Sequence, residues 1–459
     1  MSHSSFNRRK FLLGSLAATG GLATFGGMKP LGWLANATGV QGLTEDRYFV
    51  FCYCGGGWDV LLSLDPRDPQ FFHAGNVKNT FIDPGYERIE DYDTTLIPVG
   101  SDRYLGPFMG DLVDHFDKMT IVRGMSMDTL THEVGRRRFL TGKPPAGLLA
   151  RGSSAATWLA SALGADNPIP NLAMRVESYN VDQPNYASGL KVSQVEDLVR
   201  ALAPDGVQLS NVARQQVNAL LQQTAQCPEA NLSPFWQRSE ESRVRAGEMV
   251  EQQLDALFDF MAPTNEMTDL RAHYGITNSN SLRNSPGAQA ALAAQALKGG
   301  VSRVVSVQLT SNLDTHYEEW AEDQGPRQME AFNAISRLME DLEASPYGDT
   351  GSSWLDHTTI VVFSEFQRGA LINAGGGRDH SLTNGCILAG AGIEGGQIIG
   401  RSSDIGMEPT PMNLTTGQWD PGGEIIKPEH IIQTLMTDVG IEGDPADLRV
   451  DPIGALLKA

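Results

Sequence analysis

Thr358-Thr359-Ile360-Val361-Val362-Phe363 runs directly into Ser364-Glu365-Phe366-Gln367-Arg368. A β-branched, apolar run of this length reads as a strand covered on both faces, as in a parallel sheet. Val304-Val305-Ser306-Val307-Gln308-Leu309 repeats the pattern and is followed closely by Leu313-Asp314-Thr315-His316. Open α/β sheets gather their ligands at the carboxyl ends of such strands, so both runs deliver acids and a histidine to one edge. A third segment, Gly375-Gly376-Gly377-Arg378-Asp379-His380, sets an acid and a histidine behind glycines that let the backbone approach a ligand. Carboxylates and imidazoles brought together in this way suit a divalent cation (Zn, Ca, Mn or Mg) or an acid–base pair.

Working outward, residues 47–54 form a first strand that ends in Gly55-Gly56-Gly57-Trp58-Asp59. Further strands are expected at 119–123, 171–176 and 386–389, and helices at 108–115, 131–140, 154–163, 286–297, 328–342 and 428–439. Met329, Phe332, Ile335, Leu338, Met339 and Leu342 recur at helical spacing and make the 328–342 helix strongly amphipathic. Residues 192–262, rich in Gln, Glu, Arg and Leu, read as a helical insertion. Strand–helix alternation predicts an α/β domain over 38–459 with a doubly wound, mostly parallel sheet.

The amino terminus carries an export signal. Asn7-Arg8-Arg9-Lys10-Phe11-Leu12-Leu13 is a twin-arginine motif, residues 12–25 form a weakly hydrophobic core, and Ala35-Asn36-Ala37 supplies the cleavage site. The expectation is a signal peptide over 1–37, the twin-arginine translocase as partner during export, and a periplasmic or secreted mature protein. The apolar core is short and broken by glycines, which argues against a stable membrane anchor. The formal charge is −20, and removing Arg8, Arg9, Lys10 and Lys29 with the signal leaves about −24. So acidic a surface repels phosphate backbones and excludes nucleic acid and anionic membranes as partners. Of the four cysteines, Cys52, Cys54 and Cys386 fall on strands and read as small buried hydrophobes; a Cys54–Cys386 disulfide is the alternative.

The candidate site residues carry competing readings. Asp314 and His316 are two apart, so on an extended segment they leave one face together, as a shared cation needs; the alternative is a turn-capping Asp beside a surface His. Glu365 closes an apolar strand and requires a partner, either a metal or Arg368. Asp379 and His380 follow three glycines, Asp59 follows a glycine triplet at a strand end, and all three are read as ligands against a plain loop role. His132 is a ligand, an acid–base group, a nucleophile or a helix-start hydrogen bonder. His73, His115, His273, His357 and His430 have no comparable context.

A fourth segment, from Thr131 to Pro145, resembles the sulfatase nucleophile signature C-x-P-S-R-x-x-x-L-T-G-R. Gly135, Arg136, Leu140, Thr141, Gly142 and Lys143 fall at its Ser, Arg, Leu, Thr, Gly and basic positions, and His132 stands where the modified cysteine or serine would be. The later blocks look like the alkaline phosphatase superfamily. Within it, the chain most resembles domain-of-unknown-function family 1501, through Gly56-Gly57-Trp58-Asp59, Leu313-Asp314-Thr315-His316, Ser364 to Arg368 and Gly376 to His380. The resemblance implies an alkaline phosphatase-like fold and a divalent-metal site of Asp59, Asp314, His316, Glu365, Asp379 and His380. It further implies His132 as a catalytic group, Arg136 as an oxyanion clamp, and hydrolysis of a small anionic phosphate or sulfate ester. Because fold does not fix function, a non-catalytic binding or cell-surface scaffold of the same fold is the alternative.

Overall fold

Strand β1 (Tyr48–Cys54) is buried along its whole length because its side chains alternate between two hydrophobic cores. Tyr48, Val50, Cys52 and Cys54 face one core and Phe49, Phe51 and Tyr53 the other. The computed structural model describes residues 46–144, 146, 149–203, 210–225, 228 and 233–458, so the expected export signal and Cys227 lie outside the described residues. The remaining strands of the main sheet are β2 (Met119–Ser126), β3 (Asn171–Met174), β4 (Leu190–Val192), β5 (Val304–Thr310), β6 (Thr358–Phe363), β7 (Thr383–Gly390) and β8 (Gln397–Ile399). They lie in the order β8-β2-β7-β6-β1-β5-β3-β4.

Every neighbouring pair is parallel except those made by β7, which runs antiparallel to both β2 and β6. The carboxyl ends of β1, β2, β5 and β6 therefore share one edge. Reversal of β7 puts its amino end, and the residues just before it, at that same edge.

Helices cover both faces, as an α/β sheet requires. On one side, α1 (His132–Thr141), α2 (Ala155–Leu163) and α5 (Pro428–Asp438) pack on Phe49, Phe51 and Val361; on the other, α3 (Pro286–Lys298) and α4 (Glu319–Ala344) pack on Val50, Val305 and Ile360. Helix α3 starts at Ser285, whose hydroxyl accepts from Ala288 N–H, and Pro286 occupies the first turn where a missing N–H costs nothing. Its alanines let it sink almost entirely into the core.

Some elements differ from the sequence reading for local reasons. Helix α4 begins at Glu319 rather than near 328: it runs through Pro326, where propensity predicts a break, because Trp320 and Gln324 are buried on its first turns. The expected 108–115 helix is a 3-10 segment over Gly110–Lys118. The short strands β4 and β8 are too polar and brief to show periodicity. Within 192–262 the chain forms helices at Val195–Leu202, Asn211–Ala225 and Pro234–Glu251. Cys54 and Cys386 lie on opposite faces of the sheet, which forbids the disulfide; with Cys52 they are free, buried thiols whose pKa burial pushes up. No described helix is long and apolar enough to cross a membrane.

Candidate metal centre

Four loops meet at the carboxyl edge. The β2–α1 connection brings His132 at the first position of α1, the loop after β5 brings Asp314 and His316, and the loop after β6 brings Glu365 and Arg368. The segment before β7 brings Asp379 and His380. Two glycines allow the approach. A Cβ on Gly56, whose φ is +113°, would stand 2.6 Å from the backbone nitrogens of Leu313 and Asp314. A Cβ on Gly135 of α1 would stand 2.5 Å from the Glu365 carbonyl. Phe139 of α1 stacks on Phe363 with ring centroids 4.2 Å apart, fixing the helix against β6; such a pair contributes about 1 kcal/mol beyond its buried area.

The side chains converge tightly. His316 Nε2 lies 3.1 Å from Asp314 Oδ1 and 3.0 Å from His380 Nε2. His132 Nε2 lies 3.3 Å and His380 Nε2 3.7 Å from the same Asp314 oxygen. His132, Asp314 and His380 each offer a ligand atom within 4.8 Å of the other two.

The second ring nitrogen of each histidine is held from behind. His132 Nδ1 contacts Glu365 Oε1 at 2.7 Å, His316 Nδ1 contacts Asp379 Oδ1 at 3.2 Å, and His380 Nδ1 contacts the Leu130 carbonyl at 2.6 Å. All three partners are acceptors, so each Nδ1 carries a proton, and in the neutral form of each ring Nε2 presents a lone pair. Three lone pairs and a carboxylate oxygen at 3.0–3.7 Å repel unless a cation or proton lies among them. Arg368 satisfies part of this, with Nη1 3.1 Å from His316 Nε2 and Nη2 on Asp314 Oδ1. His132 Nε2 remains buried without a hydrogen-bond partner among the described residues. That orphaned nitrogen, the lone-pair crowding and the carboxylate–histidine pairs behind it fit a divalent cation.

Electrostatics follow the contacts. Burial works to raise the Glu365 carboxyl, but hydrogen bonds from His132 and Gly56 N–H hold it below the usual range. Burial opposes a charged His132, but the Glu365 contact and the Glu365 and Asp314 charges outweigh it and raise its pKa. His380 is pushed down by burial and by Arg368. Burial likewise works to raise Asp314, yet Arg368 holds it ionised and its pKa is lowered.

The other expected site residues take different places. Asp59 is fully buried and outside the converging set: its carboxylate pairs with Arg378 Nε at 2.7 Å, accepts from Trp320 Nε1 at 2.8 Å and caps the turn at Leu61. With both oxygens engaged it anchors the fold here, in place of the ligand position expected for it. Arg136 is no oxyanion clamp, since it forms a two-point pair with Glu177 at 2.9 and 3.1 Å. Glu365 and Asp379 stand behind His132 and His316 and orient their rings. His132 belongs to the converging set.

Arg368 is the residue sequence reasoning missed. Fully buried, it donates to carbonyls of Gly56, Gly57, Leu313 and Arg378, so from the loop after β6 one guanidinium clamps the loops after β1 and β5 and the segment before β7. It does not pair with Glu365, the partner its spacing suggested. The isolated Arg after an acid at a strand end was the available signal. The histidines without context are locally satisfied: His115 on Ser336, His273 on the Arg337 carbonyl, His357 on Ser352 and His430 on Glu424.

Fold and site together define a doubly wound α/β protein with a three-histidine, one-aspartate constellation at the carboxyl edge of its sheet. The family described as "Protein of unknown function (DUF1501)" matches residues 98–416, and the chain belongs to it. The match spans every member of the constellation and leaves out β1 and Asp59. No curated protein matches the sequence. Among solved structures, that of Ps i-CgsB in complex with k-i-k-neocarrahexaose is similar at a TM-score of 0.39 and 8% identity, over 91% of this chain and 76% of that one. A protein in the alkaline phosphatase superfamily from Vibrio parahaemolyticus is similar at a TM-score of 0.37 and 10% identity, over 99% of this chain and 80% of that one. Likenesses at this level carry neither an activity nor a substrate to this chain.

Proposed function

We propose that the chain is an exported hydrolase of phosphate or sulfate esters, dependent on a divalent cation held by His132, Asp314 and His380 with His316 as a fourth donor. The observation that carries it is the convergence of three Nε2 lone pairs on one carboxylate oxygen, each imidazole locked by an acceptor at Nδ1. A scaffold has no need of such crowding, and it persists here at an edge open to solvent, with Asp314 about half exposed. Three imidazoles and one carboxylate favour zinc over calcium or magnesium, which prefer oxygen donors.

A bound cation would supply Lewis acidity toward an ester oxygen. The chain's own residues set the rest. Glu365, Asp379 and the Leu130 carbonyl fix the ring orientations and tautomers. Arg368 keeps Asp314 ionised and locks the loops, so the site is ordered before substrate arrives. Among the described residues no hydroxyl or thiol hydrogen-bonds to the four converging groups, so the nucleophile in this reading is water rather than a side chain. Arg136, engaged by Glu177, takes no part.

The test is elemental analysis of the exported, mature protein never exposed to chelator, beside a His380→Ala variant. About one divalent ion per chain, lost in the variant together with hydrolysis of nitrophenyl esters, is expected. Wild-type protein without stoichiometric cation overturns the reading and leaves the scaffold alternative.

A further inference from the structure

The centre adjoins a groove of about 380 Å³ whose lining includes Phe81, Ala370, Leu371 and Ile372 together with Asp379 and His380. That volume exceeds the roughly 150 Å³ cavity that accepts benzene. Phe81 is the telling residue. Its φ of 54° is left-handed, a conformation that costs an aromatic side chain strain and that glycine adopts freely. Its ring is nonetheless 53% exposed, so neither backbone preference nor core packing accounts for a phenylalanine there. Leu371 is exposed beside it.

Charge limits what can sit against the centre. Asp314 pairs with Arg368, Glu365 with His132 and Asp379 with His316, so among these contacts three carboxylates are offset by one guanidinium, leaving two negative charges that one divalent cation neutralises. The other arginines of α1 and the neighbouring loops are engaged elsewhere: Arg136 by Glu177, Arg137 by the Tyr179 hydroxyl beside that same Glu177, Arg138 by Asp128 and Glu429, and Arg378 by Asp59. The site therefore has no surplus positive charge for a dianion, and the exposed carboxylate of Asp379 lies at the junction with the groove.

Resting on the hydrolase reading above, we infer that the substrate is an ester with a single negative charge, a phosphodiester or a sulfate ester, whose neutral substituent presents a ring to Phe81 and Leu371. Hydrolysis then adds water across one ester bond: the phosphorus– or sulfur-bearing product keeps the oxygen of water, the leaving alcohol takes one of its protons and the other stays on that product or passes to solvent.

Calorimetry on the zinc-loaded mature protein at pH 8.5 separates charge from shape without relying on turnover. Benzenesulfonate and methyl phenylphosphonate, both monoanions, should bind about tenfold or more tighter than the phenylphosphonate dianion. Methanesulfonate, lacking the ring, should bind weakly, and Phe81→Ala should erase the difference between it and benzenesulfonate. Leu371→Glu, at an exposed position, should weaken the ring-bearing monoanions and leave the fold intact. Hydrolysis of p-nitrophenyl sulfate against methyl p-nitrophenyl phosphate then tells sulfate ester from phosphodiester. Tighter binding of the dianion, or ring preference unchanged in Phe81→Ala, overturns this inference while leaving the hydrolase reading standing. Failure of all these anions to bind, together with absence of any ester hydrolysis, removes both.

Discussion

Asp59→Asn separates the structural role of Asp59 from the ligand role its sequence context suggests. The Asp59 carboxylate and the Arg378 guanidinium are both wholly inaccessible and 2.7 Å apart. Arg378 also donates to the Gly369, Asp83 and Pro84 carbonyls and lies over the Trp320 ring, 4.7 Å from its centroid. Removing one partner of such a pair leaves an uncompensated buried charge and costs about 3–5 kcal/mol. Asparagine keeps an oxygen for the Leu61 N–H, worth about 1 kcal/mol, which puts the expected loss near the lower end, about 3 kcal/mol. Against a total stability of about 5–15 kcal/mol that is a large fraction. With a urea slope of about 3 kcal/mol per molar, the unfolding midpoint should fall by about 1 M. Metal content measured on the folded variant at low temperature should equal that of wild type, since Asp59 lies outside the converging set. Asp314→Asn is the contrast, losing the cation first. If Asp59→Asn loses stoichiometric cation while its urea midpoint stays put, Asp59 is a ligand and the reasoning from the buried pair is wrong.

Glu365→Gln should weaken cation binding about 10–100-fold, by removing the charge that fixes the His132 tautomer, with the four donors still present; competition against a chelator measures it. Arg368→Met should loosen the loops around Gly56, Leu313 and Arg378, seen as faster hydrogen exchange there, whereas unchanged exchange refutes the clamp. Burial works to raise the Asp65 carboxyl, but Arg67, Arg123 and Ser402 outweigh it and its pKa is lowered on folding. Its stabilising contribution is thus present above the unfolded value of about 3.9 and fades as pH falls through the lower folded value. The stability gap between wild type and Asp65→Asn should accordingly shrink in urea titrations below about pH 4, and a constant gap would contradict this. Changing Arg8 and Arg9 to lysine should leave the precursor in the cytoplasm, with normal maturation counting against a twin-arginine signal.

The sequence alone determined the main strands and the edge at which β1, β5 and β6 open. The runs at 304–309 and 358–363 are β-branched and apolar, so they fold as covered strands whatever lies around them, and parallel strands with intervening helices must open their loops at one end. Asp314, His316 and Glu365 were legible as neighbours for that reason, whereas Asp379 and His380 reach the same edge through the antiparallel course of β7. What each side chain does there was not legible, because it depends on partners far along the chain. Glu365 meets His132 across 233 positions, and Asp59 meets Trp320 across 261. An acid after a glycine turn looks the same in sequence whether it faces a cation or a buried arginine. Only the packing of α1 through Gly135 and Phe139, the reversal of β7 and the loop clamp of Arg368 decided which groups converge. Local periodicity is set within a few residues, whereas desolvation and charge pairing are settled by whatever the finished fold brings into contact.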